Sequence, residues 1–214
     1  MIKANIVEQG SDRAVADWLE TRLSVAFAAK RPVHVAMPGG STPFPILEML
    51  IRRDLDLSRL VVVPTDDRDV PEDHDASNTG KLRALFEPVG ARVVSLDESE
   101  PDDFDTIHFA LVWLGMGADG HIASLFPNTD PQANDAQRLR RITPDPLPPE
   151  APFDRLTLTL PTLLDTRELM LVVRGSEKRA VLDAALKGET DLPIARLLRA
   201  NAARQNSCPV TCFT

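Results

Sequence analysis

Cysteine is scarce in this chain, with Cys208 and Cys212 the only two among 214 residues. A structural zinc site needs four ligands, and one cysteine pair without neighbouring histidines falls short of that number. A disulfide framework is characteristic of small secreted domains rather than of a chain this long. We therefore expect two reduced thiols and no metal site.

Long apolar runs and net positive charge are also missing. No stretch approaches the roughly 18 consecutive apolar residues that a membrane span requires. The N-terminal residues MIKANIVEQGSDR contain no apolar core of a signal peptide. The formal net charge of −8 repels polyanions. These absences predict a cytoplasmic protein that binds neither membranes nor nucleic acid, and they leave room for a small anion in a locally basic pocket.

Short apolar segments alternate with amphipathic ones along the chain. Buried strands are predicted for VHVAM (33–37), LVVV (60–63), FALVWL (109–114) and LMLVV (169–173). Helical patterns cover 12–30, with Ser11 as N-cap, and 43–53, 77–86 and 177–186. This alternation is typical of an α/β fold with a doubly wound, mostly parallel sheet and helices on both faces. We expect a single domain over residues 1–214.

Two later segments depart from this alternation. RLTLTL (155–160) alternates strictly, which predicts a strand with one solvent-facing side in an antiparallel edge region. The segment from Asn128 to Asp154 holds six of the 18 prolines, and residues 135–141 within it lack strand character. Long irregular segments in compact domains are more often functional than structural. We interpret 128–154 as a flap, with an interdomain linker as the alternative.

Ligands of open α/β sheets bind at the loops beyond the carboxyl ends of the strands. The first such loop is PGGSTP, after 33–37. Gly39 and Gly40 allow the backbone to approach a ligand closely, and Ser41 and Thr42 supply hydroxyl groups at a helix start, where free N–H groups attract anions. Ligand binding and a simple capped turn explain this loop equally well.

Two cations follow other predicted strands. Arg68 lies in the acidic loop PTDDRDVPEDHDASN, whose spacing does not fit an EF-hand. Its guanidinium suits a carboxylate or phosphate, and pairing with a neighbouring aspartate is the alternative. Lys178, in RGSEKRAVL, falls in the first turn of a helix, where a cation opposes the helix dipole. A bound anion would explain that position, and an ordinary surface lysine is the alternative.

The segment LGMGADGHIASLFP (114–127) contains a G-x-G-x-x-G pattern, which raises the question of a dinucleotide loop. Pro127 follows the third glycine within seven residues, so no long helix can begin there, and Asp119 would face the pyrophosphate. The segment is better interpreted as a glycine-rich turn that projects Asp119 and His121 at a strand end. Because histidine titrates near neutral pH, His121 is a candidate general acid or base.

Five motifs together resemble the 6-phosphogluconolactonase family of the pentose phosphate pathway. They are GGSTP, DDRDVPEDHDASN, LGMGADGHIASLFP, RLTLTLP and GSEKRAVL, in that order and spacing, and they span nearly the whole chain. The resemblance implies a doubly wound α/β fold shared with glucosamine-6-phosphate deaminases. It also implies hydrolysis of 6-phosphoglucono-δ-lactone to 6-phosphogluconate, a sugar-phosphate lactone substrate, and no metal or other cofactor. The deaminases continue with Asn-Glu-Pro where this chain has residues 124–127, which favours the lactonase.

The resemblance assigns roles to particular residues. It implies that His121 is the base that activates water and that Asp119 orients it. The implied substrate-binding residues are Gly39, Gly40, Ser41, Thr42, Asp66, Arg68 and Lys178. Two departures stand out: the family reads Asp-Glu-Arg where this chain has Asp67 in the middle position, and CPVTCFT stops short of the usual family end. The second departure leaves the last packing element open.

Two other functions remain as alternatives. The first is a sugar-phosphate isomerase or deaminase on the same fold. The second is a non-catalytic sugar-phosphate sensor. Sensors of this fold typically follow a DNA-binding helix-turn-helix, whereas the first strand here is expected to begin by about Ala4, and the acidic charge argues the same way. The sequence does not indicate an oligomeric state.

Overall fold

The computed structural model describes residues 2–29, 31–96, 107–147 and 152–214. The described strands are β1 (Asn5–Val7), β2 (Val33–Met37), β3 (Leu60–Pro64), β4 (Asp66–Arg68), β5 (Arg92–Val93), β6 (Leu111–Leu114), β7 (Leu139–Ile142), β8 (Arg155–Leu158), β9 (Leu169–Val172) and β10 (Val210–Phe213). Seven of them form a parallel sheet in the spatial order β1, β10, β9, β6, β2, β3, β5. The other three form an antiparallel sheet in the order β4, β8, β7.

The four strands predicted from apolar runs are confirmed with small shifts at their ends. β2 has the predicted bounds, β3 extends to Pro64, and β9 ends one residue early. The run 109–114 begins its ladder two residues late, at Leu111, and Phe109 makes a separate isolated bridge with Thr166. The expected early strand is β1. In the centre of the sheet, Val35 of β2 pairs with Val62 on one side and Leu111 on the other, which explains the mostly apolar composition of these strands.

The described helices are α1 (Asp12–Phe27), α2 (Pro43–Leu50), α3 (Asn78–Phe86), α4 (Leu160–Leu163), α5 (Ser176–Lys187) and α6 (Pro193–Ala203), with 3-10 turns at Leu57–Arg59, Glu87–Val89 and Pro127–Thr129. The predicted cap of α1 is confirmed, since Ser11 Oγ accepts a hydrogen bond of 3.2 Å from the Ala14 amide. Helices α1 and α2 each end three residues before their predicted ends. The sequence analysis did not predict α4 or α6.

Helices cover both faces of the parallel sheet. One core cluster, under α1, α2 and α3, contains Leu19, Leu47 and Phe86. A second cluster, under α5 and α6, contains Leu182 and Leu198. Side chains alternate along each strand, so neighbouring residues of β6 and β9 enter opposite clusters. The predicted doubly wound, mostly parallel α/β fold is therefore confirmed.

The antiparallel sheet corrects the interpretation of 155–160. The pairing of β8 is antiparallel as predicted, but the predicted solvent-facing side is wrong because all four residues of β8 are buried. Leu156 and Leu158 enter the core under α5 and α6. On the other side, Thr157 Oγ1 accepts a hydrogen bond from the Ser124 amide, and Arg155 is only 4% exposed. The alternating sequence of β8 therefore places apolar side chains on one side of the strand and buried, hydrogen-bonding side chains on the other.

The proline-rich segment 128–154 is described except for residues 148–151. The expectation that 135–141 lacks strand character was wrong, because β7 (Leu139–Ile142) pairs along β8. The sequence of β7 is polar, so no apolar pattern indicates a strand there. The strand forms because it pairs with β8. Arg138, the residue before β7, anchors this segment to the rest of the protein. It donates to the Ile107 carbonyl at 2.7 Å and to Asp165 Oδ2 at 3.1 Å.

The C-terminal residues complete the parallel sheet. β10 lies between β1 and β9, which resolves the packing element left open by the sequence. Cys208 and Cys212 are unpaired, and burial raises the pKa of the Cys212 thiol to about 12, so this thiol stays protonated and unreactive near neutral pH. Within the described ranges, no helix is long and apolar enough to cross a membrane.

Candidate active site

One pocket opens at the carboxyl edge of the parallel sheet, where the chain leaves the adjacent strands β9, β6, β2 and β3. Its cavity volume is about 270 Å³. Eight of the nine site residues predicted from the sequence line it: Gly39, Gly40, Ser41, Thr42, Asp66, Arg68, His121 and Lys178. Asp119, the ninth, contacts His121 from outside the pocket lining. None of the described residues of 128–154 lines this pocket, so a flap role for that segment stays a prediction.

The loop from Gly39 to Thr42 lines the pocket with all four of its residues. No hydrogen bond among the described residues is donated by the amides of 39–42. Thr42 occupies the N-cap position of α2 without a side-chain capping bond, and Pro43 follows it. A Cβ atom on Gly39 would lie 2.1 Å from Asn78 Cγ, so only glycine fits there. Free amides at an uncapped helix start attract an anion.

The His121 loop is folded back on itself by hydrogen bonds. The Gly117 amide donates to the His121 carbonyl at 3.0 Å, and Gly120 has a φ of +77°, which an L side chain rarely adopts. A Cβ atom on Gly117 would lie 2.3 Å from the His121 ring and 2.5 Å from Asp119 Oδ1. The glycines of this loop therefore provide a turn for the histidine and aspartate, as the sequence analysis inferred.

The imidazole of His121 is held by one carboxylate. Its Nδ1 lies 2.6 Å from Asp119 Oδ1, and the His121 amide donates to the same oxygen at 3.2 Å. The ring of Phe126 packs on the imidazole with centroids 4.8 Å apart. A carboxylate only accepts hydrogen bonds, so its contact with Nδ1 places the proton of a neutral imidazole on that nitrogen. Nε2 is then the unprotonated nitrogen, with a lone pair that can accept a proton.

Asp66 is an acceptor in the pocket wall whose two oxygens are already oriented. Thr65 Oγ1 donates to Oδ1 at 3.1 Å, and Ser124 Oγ donates to Oδ2 at 2.5 Å. Ser124 is only 2% exposed, and it ties the His121 loop to the loop after β3. Sequence reasoning did not single out Ser124, although it lies three residues after His121 in the same motif.

Arg68 lines the pocket with a guanidinium that is only partly satisfied. Its Nη1 donates to Asn78 Oδ1 at 2.5 Å, while its buried Nε has no hydrogen-bond partner among the described residues. The guanidinium of Arg68 thus bonds to the side-chain amide of Asn78 rather than to a neighbouring aspartate, which was the alternative. Burial and the charge of Arg68 lower the pKa of Arg155, so the two guanidinium groups lie close enough to interact.

Asp67, the residue that replaces the family's usual glutamate, points into the protein. It is 5% exposed, and its carboxylate accepts from the amides of Arg68, Asn78 and Thr79 at 2.7, 2.6 and 2.8 Å. It also accepts from the hydroxyls of Ser77 at 3.2 Å and Thr79 at 2.6 Å. The aspartate side chain thus satisfies the amino end of α3 and fixes the backbone at Arg68.

We expect Asp67→Ala to destabilise the fold, because it leaves several buried donors without an acceptor. The expected loss is about 2–4 kcal/mol in the free energy of unfolding. Chemical denaturation measures it, with Asp75→Ala as a control, since Asp75 is an exposed acid of the same loop. Equal unfolding midpoints for the two variants would show that this hydrogen-bond cluster contributes nothing to stability.

Two cations from the end of β9 complete the pocket. Lys178, in the first turn of α5, has no ion pair or hydrogen bond with any described residue. Arg174 donates from Nη2 to Asp12 Oδ1 at 3.1 Å, and its remaining N–H groups have no partner among the described residues. Sequence reasoning missed Arg174, although it directly follows the predicted strand 169–173. Free cations and free amides make the pocket suited to a small anion.

The pocket offers proton transfer beside anion binding. The described residues contain no group of three or more His, Cys, Asp or Glu side chains that could hold a metal ion. The groups available from these side chains are an imidazole, an oriented carboxylate, hydroxyl groups and several cations. This set is adequate for general-base activation of water next to an anionic substrate.

The fold and the pocket together define a doubly wound α/β protein with its site at the carboxyl edge of the sheet. The chain belongs to the family of glucosamine-6-phosphate isomerases and 6-phosphogluconolactonases, whose sequence profile matches residues 8–206. It is 35% identical over 207 residues to the 6-phosphogluconolactonase of Pseudomonas aeruginosa, covering 88% of this chain and 87% of the relative. It is 33% identical over 201 residues to that of Helicobacter pylori, covering 87% of each.

A solved structure shows the same fold. The crystal structure of a 6-phosphogluconolactonase from Shewanella baltica superposes with a TM-score of 0.81 at 24% identity, covering 99% of this chain and 98% of that chain. At this identity the likeness establishes the architecture only. The family resemblance carried by the five motifs is confirmed by the profile match and by the two relatives above.

Proposed function

We propose that this protein hydrolyses 6-phospho-D-glucono-1,5-lactone to 6-phospho-D-gluconate in the oxidative pentose phosphate pathway. The observation that carries the proposal is the His121–Asp119 pair, with its 2.6 Å contact, in a pocket lined by Arg68, Arg174 and Lys178. The relatives named 6-phosphogluconolactonase support it. A soluble sugar-phosphate substrate and the acidic net charge favour a cytoplasmic enzyme with no nucleic-acid partner.

The imidazole of His121 is the base in this proposal. Nε2 accepts a proton from a water molecule as the water oxygen attacks the lactone carbonyl carbon. Asp119 holds the ring through Nδ1 and stabilises the imidazolium that forms. The tetrahedral intermediate then collapses, the bond between the carbonyl carbon and the ring oxygen breaks, and the imidazolium returns its proton to that oxygen. The product is a carboxylic acid with a free hydroxyl group, and the acid then releases its proton to bulk water to become the carboxylate. No covalent enzyme intermediate is needed.

The rest of the pocket binds the sugar phosphate. The amides of 39–42 and the ammonium of Lys178 supply donors and charge for the phosphate, and Arg68 supplies a further cation. Asp66, with its oxygens fixed by Thr65 and Ser124, accepts hydrogen bonds from sugar hydroxyls. This arrangement places substrate-binding groups on both sides of the β6 end, where His121 lies.

One observation weighs against the deaminase alternative. The deaminase pattern places Asn-Glu-Pro after the shared histidine motif, whereas Ser124 and Leu125 are buried here and Phe126 packs its ring on His121. No carboxylate from residues 124–127 therefore reaches the imidazole. A non-catalytic sensor would have no need of an imidazole oriented by a carboxylate beside the cations.

Substrate turnover distinguishes these functions. Purified protein is supplied with freshly made 6-phosphogluconolactone in one reaction and with glucosamine 6-phosphate in another, and lactone loss and ammonia release are followed. We expect enzyme-dependent lactone loss and no ammonia. Ammonia release would favour the deaminase, and turnover of neither compound would favour the sensor.

We expect the hydrolysis to continue after exhaustive chelation, because the described residues offer no ligand cluster for a catalytic metal. The measurement compares initial rates before and after dialysis against chelator, with spontaneous hydrolysis subtracted from both. Activity that vanished with chelator and returned with Zn²⁺ would contradict the metal-independent mechanism.

A further inference from the structure

Arg174 lines the pocket, but no family motif assigns it a role. It follows β9 directly, and the floor beside it is formed by Trp113 and Val172. These two side chains belong to the core cluster under α1 and α2. The contact of Arg174 with Asp12, the first residue of α1, places its guanidinium over the same face of the sheet. The N-terminus of α2 forms the pocket wall on that face.

Asp12 orients Arg174 and leaves most of its N–H groups available for other hydrogen bonds. The one hydrogen bond that Arg174 makes with the described residues joins Nη2 to Asp12 Oδ1 at 3.1 Å, and a guanidinium has five N–H donors. The side chains are 34% and 40% exposed, and an ion pair this exposed contributes little to stability. A long arginine held by one bond at the rim of a pocket is better explained by ligand recognition than by support of the fold.

The groups beside Arg174 also lack partners of their own. The amides of 39–42 donate no hydrogen bond to any described residue, and Lys178 makes no ion pair within the same set. Three kinds of donor, from the ends of β2 and β9 and from the first turn of α5, thus line one pocket. A phosphate group has enough oxygens to accept from all three.

We propose that Arg174 is a specificity-determining residue that recognises the substrate phosphate and that Asp12 is its positioning residue. The guanidinium donates to a phosphate bound between the α2 N-terminus and Lys178, and it selects the phosphorylated ligand over the same sugar without phosphate. The identity of this ligand rests on the proposed function. The role of Arg174 in binding it rests on the geometry.

The test is Arg174→Gln, which removes the charge and keeps a similar length. Calorimetry measures the affinity for 6-phosphogluconate, and kinetics measures kcat/KM for 6-phosphogluconolactone and for glucono-1,5-lactone. We expect affinity for 6-phosphogluconate to fall by about 10-fold or more, with the loss in KM rather than in kcat. The value of kcat/KM for glucono-1,5-lactone, which has no phosphate, should stay within about twofold of the parental value. Arg13→Gln is the matched control, because Arg13 is an exposed arginine near Asp12 that does not line the pocket.

A double-mutant cycle tests the positioning role. Asp12→Ala should weaken 6-phosphogluconate binding by about threefold or more when Arg174 is present, and it should have no further effect in the Arg174→Gln background. Equal effects of Asp12→Ala in both backgrounds would show that Asp12 does not act through Arg174.

Three outcomes separate this inference from the proposed function. If Arg174→Gln binds 6-phosphogluconate as tightly as the parent, the inference is overturned, and the proposed function stands as long as the parent hydrolyses the lactone. Equal losses with both lactones would indicate a structural role and would overturn it too. If the parent turned over no lactone yet bound 6-phosphogluconate through Arg174, the inference would stand and the proposed function would fail.

Discussion

Replacing His121 with asparagine is expected to lower kcat for lactone hydrolysis by about 10²- to 10⁴-fold, while the affinity for 6-phosphogluconate changes little. Asparagine keeps a polar side chain that can donate to Asp119, so the loop conformation is preserved. It has no nitrogen lone pair that can take a proton from water. Because the role proposed for the imidazole is to act on the water and not on the phosphate, catalysis and binding should separate.

The chain contains a matched control for this substitution. His108 makes the same contact as His121, with its Nδ1 2.6 Å from Asp165 Oδ1, but it lies before β6 at the opposite edge of the sheet and does not line the pocket. His108→Asn should therefore keep the parental kcat. A His121→Asn enzyme with at least half of the parental kcat would show that the base lies elsewhere.

Removal of the pocket cations is expected to have the second largest effect, this time on binding. Arg68→Ala and Lys178→Ala should each weaken 6-phosphogluconate binding by about 10- to 150-fold, the equivalent of a charge-assisted hydrogen bond of about 1.5–3 kcal/mol. The buried Nε of Arg68 and the ammonium of Lys178 have no partner among the described residues. The ammonium of Lys178 is therefore free to bind a ligand, and Arg68 contributes its positive charge to the pocket that it lines.

The two cation variants are compared with Lys187→Ala. Lys187 is exposed at the other end of the same helix as Lys178, so it reports the effect of losing one positive charge far from the pocket. Calorimetric titration with 6-phosphogluconate gives the dissociation constants. If both pocket variants bound the product as tightly as Lys187→Ala, the phosphate site would lie elsewhere.

The four central strands of the parallel sheet, β9, β6, β2 and β3, were predictable because they are buried on both faces, whereas β5 and β10 were not predicted. Apolar runs such as 33–37 and 60–63 report that burial directly in the sequence. The antiparallel sheet was not predictable in the same way. β4 and β7 are polar strands that form by pairing with β8, and no local pattern encodes a partner that lies 13 or more residues away. The solvent-facing side predicted for 155–160 failed because threonine and arginine are buried there in hydrogen bonds, which alternation alone cannot distinguish from exposure.

The site was predictable to the extent that its residues follow strands. The rule that ligands bind at the carboxyl ends of parallel strands brought loops far apart in sequence to one edge, and the structure places their predicted residues around one pocket. Ser124 and Asn78 were missed because each acts by orienting another side chain. Ser124 bonds to Asp66, and Asn78 bonds to Arg68. Arg174 was missed because it stands outside the family motifs. Only the three-dimensional contact with Asp12 shows where its charge lies.

The initial rate of 6-phosphogluconolactone loss, measured against enzyme concentration, tests the central claim most directly. The lactone is generated in the same vessel and used at once, because it also hydrolyses spontaneously, and the uncatalysed rate is subtracted at every point. We expect a rate that rises in proportion to the parent enzyme, that is competitively inhibited by 6-phosphogluconate, and that falls by at least about 100-fold with His121→Asn. A rate that stayed at the spontaneous value at every concentration of the parent enzyme would contradict the account.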